Sequence, residues 1–390
     1  MRTKNVKLLL ISLLLSACNG GNSSSTSVNN SVSNTVSSSS TSTRIINDED
    51  YWHATYTNPT MVFDEEGKYY TGEIADPTVV RGEDGYFYCV GTGRIMLRSE
   101  DACNWEIYNR NVINHPGWGQ GLGSYGLWAP DLVKVGNKWI YYYSLSGWNN
   151  PIGIGYAVAD YAGGPYTDQG KLFFGSEIGI KNCIDPQVIV DNGKVYMAVG
   201  SFQGLYLIEL EKDGMACLNG IEYQNKNKVL IAGYDGAWDG STYEGSYIIK
   251  KGGYYYYFGS AGACCDGKGS TYRVYVGRSK EITGPYIDKK GKALTQSGRS
   301  ITNGELVLWA GVNEDRDVVG PGHNSILLDD TGDYWIYYHA YSSDDNFRTR
   351  HLFMDKLEWD KEGYPYVETY KPTFKVEKDG PRFLKDVITD

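Results

Sequence analysis

Asp76-Pro77-Thr78-Val79-Val80, a polar run to Gly85, and then Tyr86-Phe87-Tyr88-Cys89-Val90-Gly91 make up a unit that occurs in five copies. The second runs from Ala129-Pro130-Asp131-Leu132-Val133 to Trp139-Ile140-Tyr141-Tyr142-Tyr143-Ser144. The third runs from Asp185-Pro186-Gln187-Val188-Ile189 to Val195-Tyr196-Met197-Ala198-Val199-Gly200. The fourth runs from Glu244-Gly245-Ser246-Tyr247-Ile248 to Tyr254-Tyr255-Tyr256-Tyr257-Phe258-Gly259. The fifth runs from His323-Asn324-Ser325-Ile326-Leu327 to Tyr334-Trp335-Ile336-Tyr337-Tyr338-His339. Copies one to four align without a gap, and the fifth needs one extra residue in its turn.

Each copy reads as a β-hairpin: a β-branched or aromatic strand, a Gly/Asn/Asp turn and a second aromatic strand. Hairpins that recur at starts 76, 129, 185, 244 and 323 are the trace of propeller blades with two further outer strands each. The expected fold is all-β, a five-bladed β-propeller over residues 45–390.

Innermost propeller strands run the same way along a central channel, so their first residues form a ring at one mouth. That ring reads Asp76, Ala129, Asp185, Glu244, His323. Any one of these is an ordinary strand-start residue, and Asp-Pro is a common turn pair. Three carboxylates and an imidazole at one equivalent position are different. Crowded carboxylates repel and raise at least one pKa, which lets a carboxylic acid and a carboxylate coexist near neutrality. Asp131 lies two residues along its strand, points the same way but deeper, and reads as structural or supporting.

Residues 1–17 read as a targeting segment, with Arg2, Lys4 and Lys7 ahead of an apolar run from Leu8 to Leu15. Leu15-Ser16-Ala17-Cys18 resembles the lipobox of bacterial lipoproteins, which implies lipidation of Cys18 and a protein exported and anchored to the cell envelope. Residues 18–44, rich in Ser, Asn and Thr, read as a flexible linker. No later apolar run is long enough to span a bilayer.

The formal charge of −10 becomes −13 once the three cations of residues 1–17 are removed. This argues against nucleic acid or an anionic polymer as partner and favours a neutral one. The 34 Tyr and 10 Trp suit blade packing and sugar stacking alike. Six Cys besides Cys18 show no metal-binding spacing. Their pairing is not legible, and Cys89, on an inner hairpin, reads as a buried free thiol. A monomer is expected.

Ala75-Asp76-Pro77, Trp128-Ala129-Pro130-Asp131, Ile184-Asp185-Pro186, Glu244 before its aromatic hairpin, and Gly320-Pro321-Gly322-His323 together resemble glycoside hydrolase family 43. Cys264-Cys265 with Ser270-Thr271-Tyr272 and Gly277-Arg278-Ser279 resembles its endo-1,5-α-L-arabinanases in particular. The resemblance implies a five-bladed propeller with Asp76 as general base, Glu244 as general acid and Asp185 raising and orienting the acid. It also implies His323 as the axial ligand of a cation, usually calcium. Trp128, Asn182, Ser201 and Phe202 are the candidate sugar contacts.

An inverting glycosidase sets its two carboxyls about 6.5–9.5 Å apart to admit water. Gln203-Gly204 after Phe202 departs from the arabinanase pattern, which often has a large residue there, and leaves endo and exo action both open. The other readings are an arabinofuranosidase or xylosidase of this fold, a retaining enzyme with Asp76 as nucleophile, and a non-catalytic glycan-binding propeller. The intact Asp76, Asp185 and Glu244 speak against the last.

Overall fold

A computed structural model describes residues 46–311 and 316–385. The expected signal segment, the expected lipidation residue Cys18 and the expected linker up to residue 44 lie outside these residues. Among those described, no helix is long and apolar enough to cross a membrane.

The chain folds as a five-bladed β-propeller of four-stranded antiparallel sheets. The innermost strands are Thr78–Arg81, Gly126–Val135, Gln187–Asp191, Glu244–Lys251 and Val318–Leu328. They touch in cyclic order, and the fifth returns to the first. Each is followed by the aromatic strand that the repeat predicts: Phe87–Gly91, Lys138–Gly147, Lys194–Val199, Tyr254–Ala261 and Tyr334–Ser342. Met61–Phe63 adds a fifth, parallel strand to the outer edge of blade one.

Each seam between neighbouring blades holds its own apolar cluster. Phe87, Trp105 and Tyr337 fill the seam between blades five and one, and Tyr88, Tyr141 and Tyr143 fill the next. Burial of so many tyrosines requires partners for their hydroxyls. Tyr142 donates to Gly214 O at 2.7 Å, Tyr143 to Asp168 at 2.7 Å and Tyr337 to Ala102 O at 2.9 Å. Cys89 is a buried free thiol, as expected, and Cys264 and Cys265 are disulfide-bonded to each other.

Around the mouth runs a belt of hydrogen bonds from the first residue of one blade to the second strand of the blade before. The N–H of Ala129 donates to Thr92 Oγ1 at 2.8 Å, that of Asp185 to Ser144 Oγ at 2.9 Å, and that of His323 to Ser260 Oγ at 2.8 Å. Asp76 N–H donates to His339 Nδ1 at 3.1 Å. Asp76, Ala129, Asp185 and His323 all have left-handed backbone, with φ of 55°, 33°, 59° and 51°. Non-glycine residues seldom adopt it.

Blade four corrects the gapless alignment. Its left-handed residue is Gly245, with φ of 58°. Glu244 pairs with Ser260 as Trp128 pairs with Ser144 and Gly322 with His339. The ring position of blade four is therefore Gly245, and Glu244 enters from one residue earlier. A Cβ on Gly245 would come 3.0 Å from the His323 ring, so a side chain there would crowd the imidazole and have to adopt a left-handed backbone. Its N–H donates to Asp185 Oδ2 at 3.2 Å. The usual acceptor position is Gly200, where a Cβ would lie 2.4 Å from Gly204 O.

Asp131 accepts the Val188 N–H at 2.7 Å, and Gln187 and Ser325 accept Ile248 N–H and Val79 N–H in the same way. Asp131 thus stitches blades two and three, in keeping with its structural reading.

Candidate active site

The ring brings Asp76, Asp185, Glu244 and His323 together, all of them buried or nearly so. Asp76 Oδ2 accepts from Thr92 Oγ1 at 2.6 Å. Its Oδ1 lies 3.3 Å from His323 Nδ1, 3.2 Å from His339 Nδ1 and 3.5 Å from Arg350 Nη1. Burial alone would raise the Asp76 pKa, but His323, Arg350 and His339 outweigh it and hold the carboxyl well below the usual range. His323 is itself pushed down to about 4 by burial. At neutral pH the charge that keeps Asp76 ionised is therefore that of Arg350, which Glu73 anchors at 2.8 Å.

Glu244 has the opposite environment. Burial is the largest influence and raises its pKa to about 7. The Ser201 hydrogen bond and the nearby Tyr272 hydroxyl oppose the rise, and the Asp76 charge adds to it. Ser201 Oγ donates to Glu244 Oε2 at 2.8 Å. Asp185 is raised well above its ordinary value by burial and by the Glu244 and Asp76 charges, with the Gly245 N–H opposing. Asp185 and Glu244 titrate as a pair whose protons are held toward neutrality. For Glu244, burial does more than the third carboxylate that the sequence invites one to credit.

Tyr272 is buried and stacks on His339, with ring centroids 5.7 Å apart and planes 12° apart. Its hydroxyl makes no ordinary hydrogen bond, yet it faces Glu244 closely enough to favour the ionised form. Cys265 Sγ lies 3.7 Å from Arg350 Nη1, so the disulfide sits at the rim beside the Asp76 cluster.

Trp128 lies half-buried at the mouth, 5.3 Å from the ring of Trp148, which is 76% exposed. Asn182 is half-buried on the approach to Asp185. Phe202 is buried, and the aromatic surface open to solvent there belongs to Trp238, 63% exposed and 5.3 Å from the Phe202 ring. His323 offers one neutral imidazole to a cation. Among the described residues, no group of three or more His, Cys, Asp or Glu is set to hold a metal. A hard cation would draw the rest of its oxygen shell from water.

His339, Arg350, Thr92, Tyr272, Trp148 and Trp238 escaped sequence reasoning. His339 had a legible signal, because it closes the fifth copy of the repeat where Ser144 closes the second, and both accept a ring-residue N–H.

A buried carboxylate and a buried carboxylic acid in one cleft are equipment for acid–base hydrolysis. The family model described as glycosyl hydrolases family 43 matches residues 53–365. The chain belongs to glycoside hydrolase family 43. Among its family 43 relatives is the extracellular exo-alpha-(1->5)-L-arabinofuranosidase ArbA of Cellvibrio japonicus. The two are 33% identical over 73% of this chain and 82% of that protein. The extracellular endo-alpha-(1->5)-L-arabinanase 1 of Bacillus subtilis is 32% identical over 72% of this chain and 83% of its own length. The Cellvibrio cellulosa alpha-L-arabinanase, solved with arabinohexaose, superposes with a TM-score of 0.64 at 32% identity, over 76% of this chain and 98% of that one. This family 43 protein is thus a glycoside hydrolase of arabinanase type, with relatives of both exo and endo action.

Proposed function

We propose that the protein hydrolyses α-1,5-linked L-arabinan with inversion, cutting within the chain. The observation that carries this reading is the contrast between an ionised Asp76 and a protonated Glu244 in one buried centre. Asp76 acts as general base and takes a proton from water while the water oxygen attacks the anomeric carbon. The glycosidic bond breaks, and Glu244 as general acid gives its proton to the departing oxygen. Asp185 keeps its place through Ser144 and Gly245 and raises the acid. Ser201 steadies Glu244, and Trp128 and Asn182 border the sugar path. Exposed Trp148 and Trp238 on different blades support a groove that takes sugar on more than one side, and so endo action.

A calcium ion on the axis is part of the proposal, with His323 as its side-chain ligand. No step above passes through it. Activity that survives exhaustive chelation would remove the ion from the reading. We also propose that residues 1–17 are cleaved and that Cys18 carries the lipid, with a monomeric catalytic body beyond the linker. The extracellular relatives support export.

The test is product analysis on debranched linear arabinan, wild type beside Asp76→Asn. A ladder of short oligosaccharides from wild type and none from the variant is the expected result. One short product from the outset supports the second reading, exo action, which the ArbA relative favours. Arabinan that is bound but never cut, with xylan also intact, leaves a lectin.

A further inference from the structure

Trp238 is a large apolar side chain left 63% exposed on a loop that is otherwise tied down. Asp239 N–H donates to Phe202 O at 3.2 Å, and Phe202 N–H donates to Tyr243 O at 2.8 Å. Asp239 Oδ1 accepts from Ser241 N–H at 2.9 Å. Gln203 Nε2 donates to Gly236 O at 3.2 Å, and Lys181 pairs with Asp235 at 2.7 Å. The indole meets the Phe202 ring at 60° and leaves most of its own surface to solvent. A rigid, solvent-facing indole face is a surface for the C–H face of a sugar, because an aromatic ring offers large contact area at little entropic cost.

The loop has a definite side. It runs six residues on into Glu244, and Phe202 follows Ser201, whose hydroxyl holds the Glu244 carboxyl at 2.8 Å. Asp76 stands on blade one, away from this rim. In acid–base hydrolysis the acid protonates the oxygen that leaves with the departing sugar. A platform on the acid's side therefore serves the leaving half of the substrate.

We propose that Trp238 is the stacking platform for a sugar on the leaving-group side of the scissile bond. The inference rests on the arabinan-hydrolase reading and holds for endo or exo action, since both have a leaving sugar. The test is the steady-state kinetics of Trp238→Ala and Trp238→Phe on linear arabino-oligosaccharides of increasing length. Trp238→Ala is expected to raise KM about tenfold for long substrates, and by several-fold more than it lowers kcat. The effect should shrink as the leaving chain shortens, and Trp238→Phe should recover most of it. An unchanged KM in Trp238→Ala, or a loss independent of length, overturns the platform while wild-type turnover still stands. Wild type that neither cuts nor binds arabino-oligosaccharides overturns the parent reading and this one together.

Discussion

The backbone N–H of Gly245 donates to the carboxylate of Asp185, so one hydrogen bond belongs both to the closure of the propeller and to its acidic centre. Three blades satisfy the equivalent N–H with a Thr or Ser hydroxyl and one with an imidazole. At the seam between blades three and four the acceptor is a titrating group, and the residue before the donor is Glu244.

The pH dependence of kcat/KM follows from the two carboxyls. Glu244 can donate a proton only while it keeps one, so activity should fall as pH rises through about 7. Asp76 must be ionised, and its pKa lies well below the ordinary range, so the acid limb should lie below pH 4. A pH–rate profile with its basic limb above pH 9 would remove Glu244 from the role of acid.

Ser201→Ala takes away a hydrogen bond that favours the Glu244 carboxylate. The pKa of Glu244 should then rise and carry the basic limb upward with it. A limb that stays in place while kcat drops would mean that the hydroxyl touches substrate and not the acid.

Glu244→Gln should lower kcat by about 10²–10⁴-fold, the usual worth of a positioned general acid, with binding of arabino-oligosaccharide retained. Its stability should change in the other direction. The folded pKa of about 7 exceeds the ordinary value of 4.5. Stability from this group is therefore present below pH 4.5 and lost as pH rises through about 7. The variant should melt above wild type at pH 8 by an amount that shrinks toward pH 5, a gain on the order of 1–3 kcal/mol. Thermal unfolding at both pH values measures it.

Ser260→Ala leaves the His323 N–H without its acceptor. An unsatisfied buried donor costs about 1–3 kcal/mol. Denaturant unfolding should detect that loss, and an unchanged midpoint would show that water replaces the hydroxyl.

The hairpin repeat, the five blades and the placing of Asp76 and Asp185 at the mouth were legible because strand alternation and turn chemistry write them into short stretches. Blade four was legible only in part. Glu244-Gly245-Ser246 fits the repeat in either of two registers, and the choice depends on a cross-strand partner, Ser260, and on crowding by His323. Arg350 and Tyr272 stayed hidden for a related reason. They reach the centre from the third strand of blade five and the approach to that of blade four, and nothing in the inner hairpins announces them. The Trp238 loop is set by hydrogen bonds to segments 30 to 60 residues away, which no local pattern encodes.

The one-residue offset of blade four bears on any attempt to redesign this propeller. Consensus design averages the copies of a repeat and commonly gains stability. Applied here it would write the ring residue of the other blades over Gly245 and the residue before it over Glu244. The product would keep the repeat of five hairpins, and would lose both the proton donor and the space beside His323. In this chain the functional information sits where one repeat departs from the others, so a stability-led redesign should hold blade four fixed and idealise the remaining four.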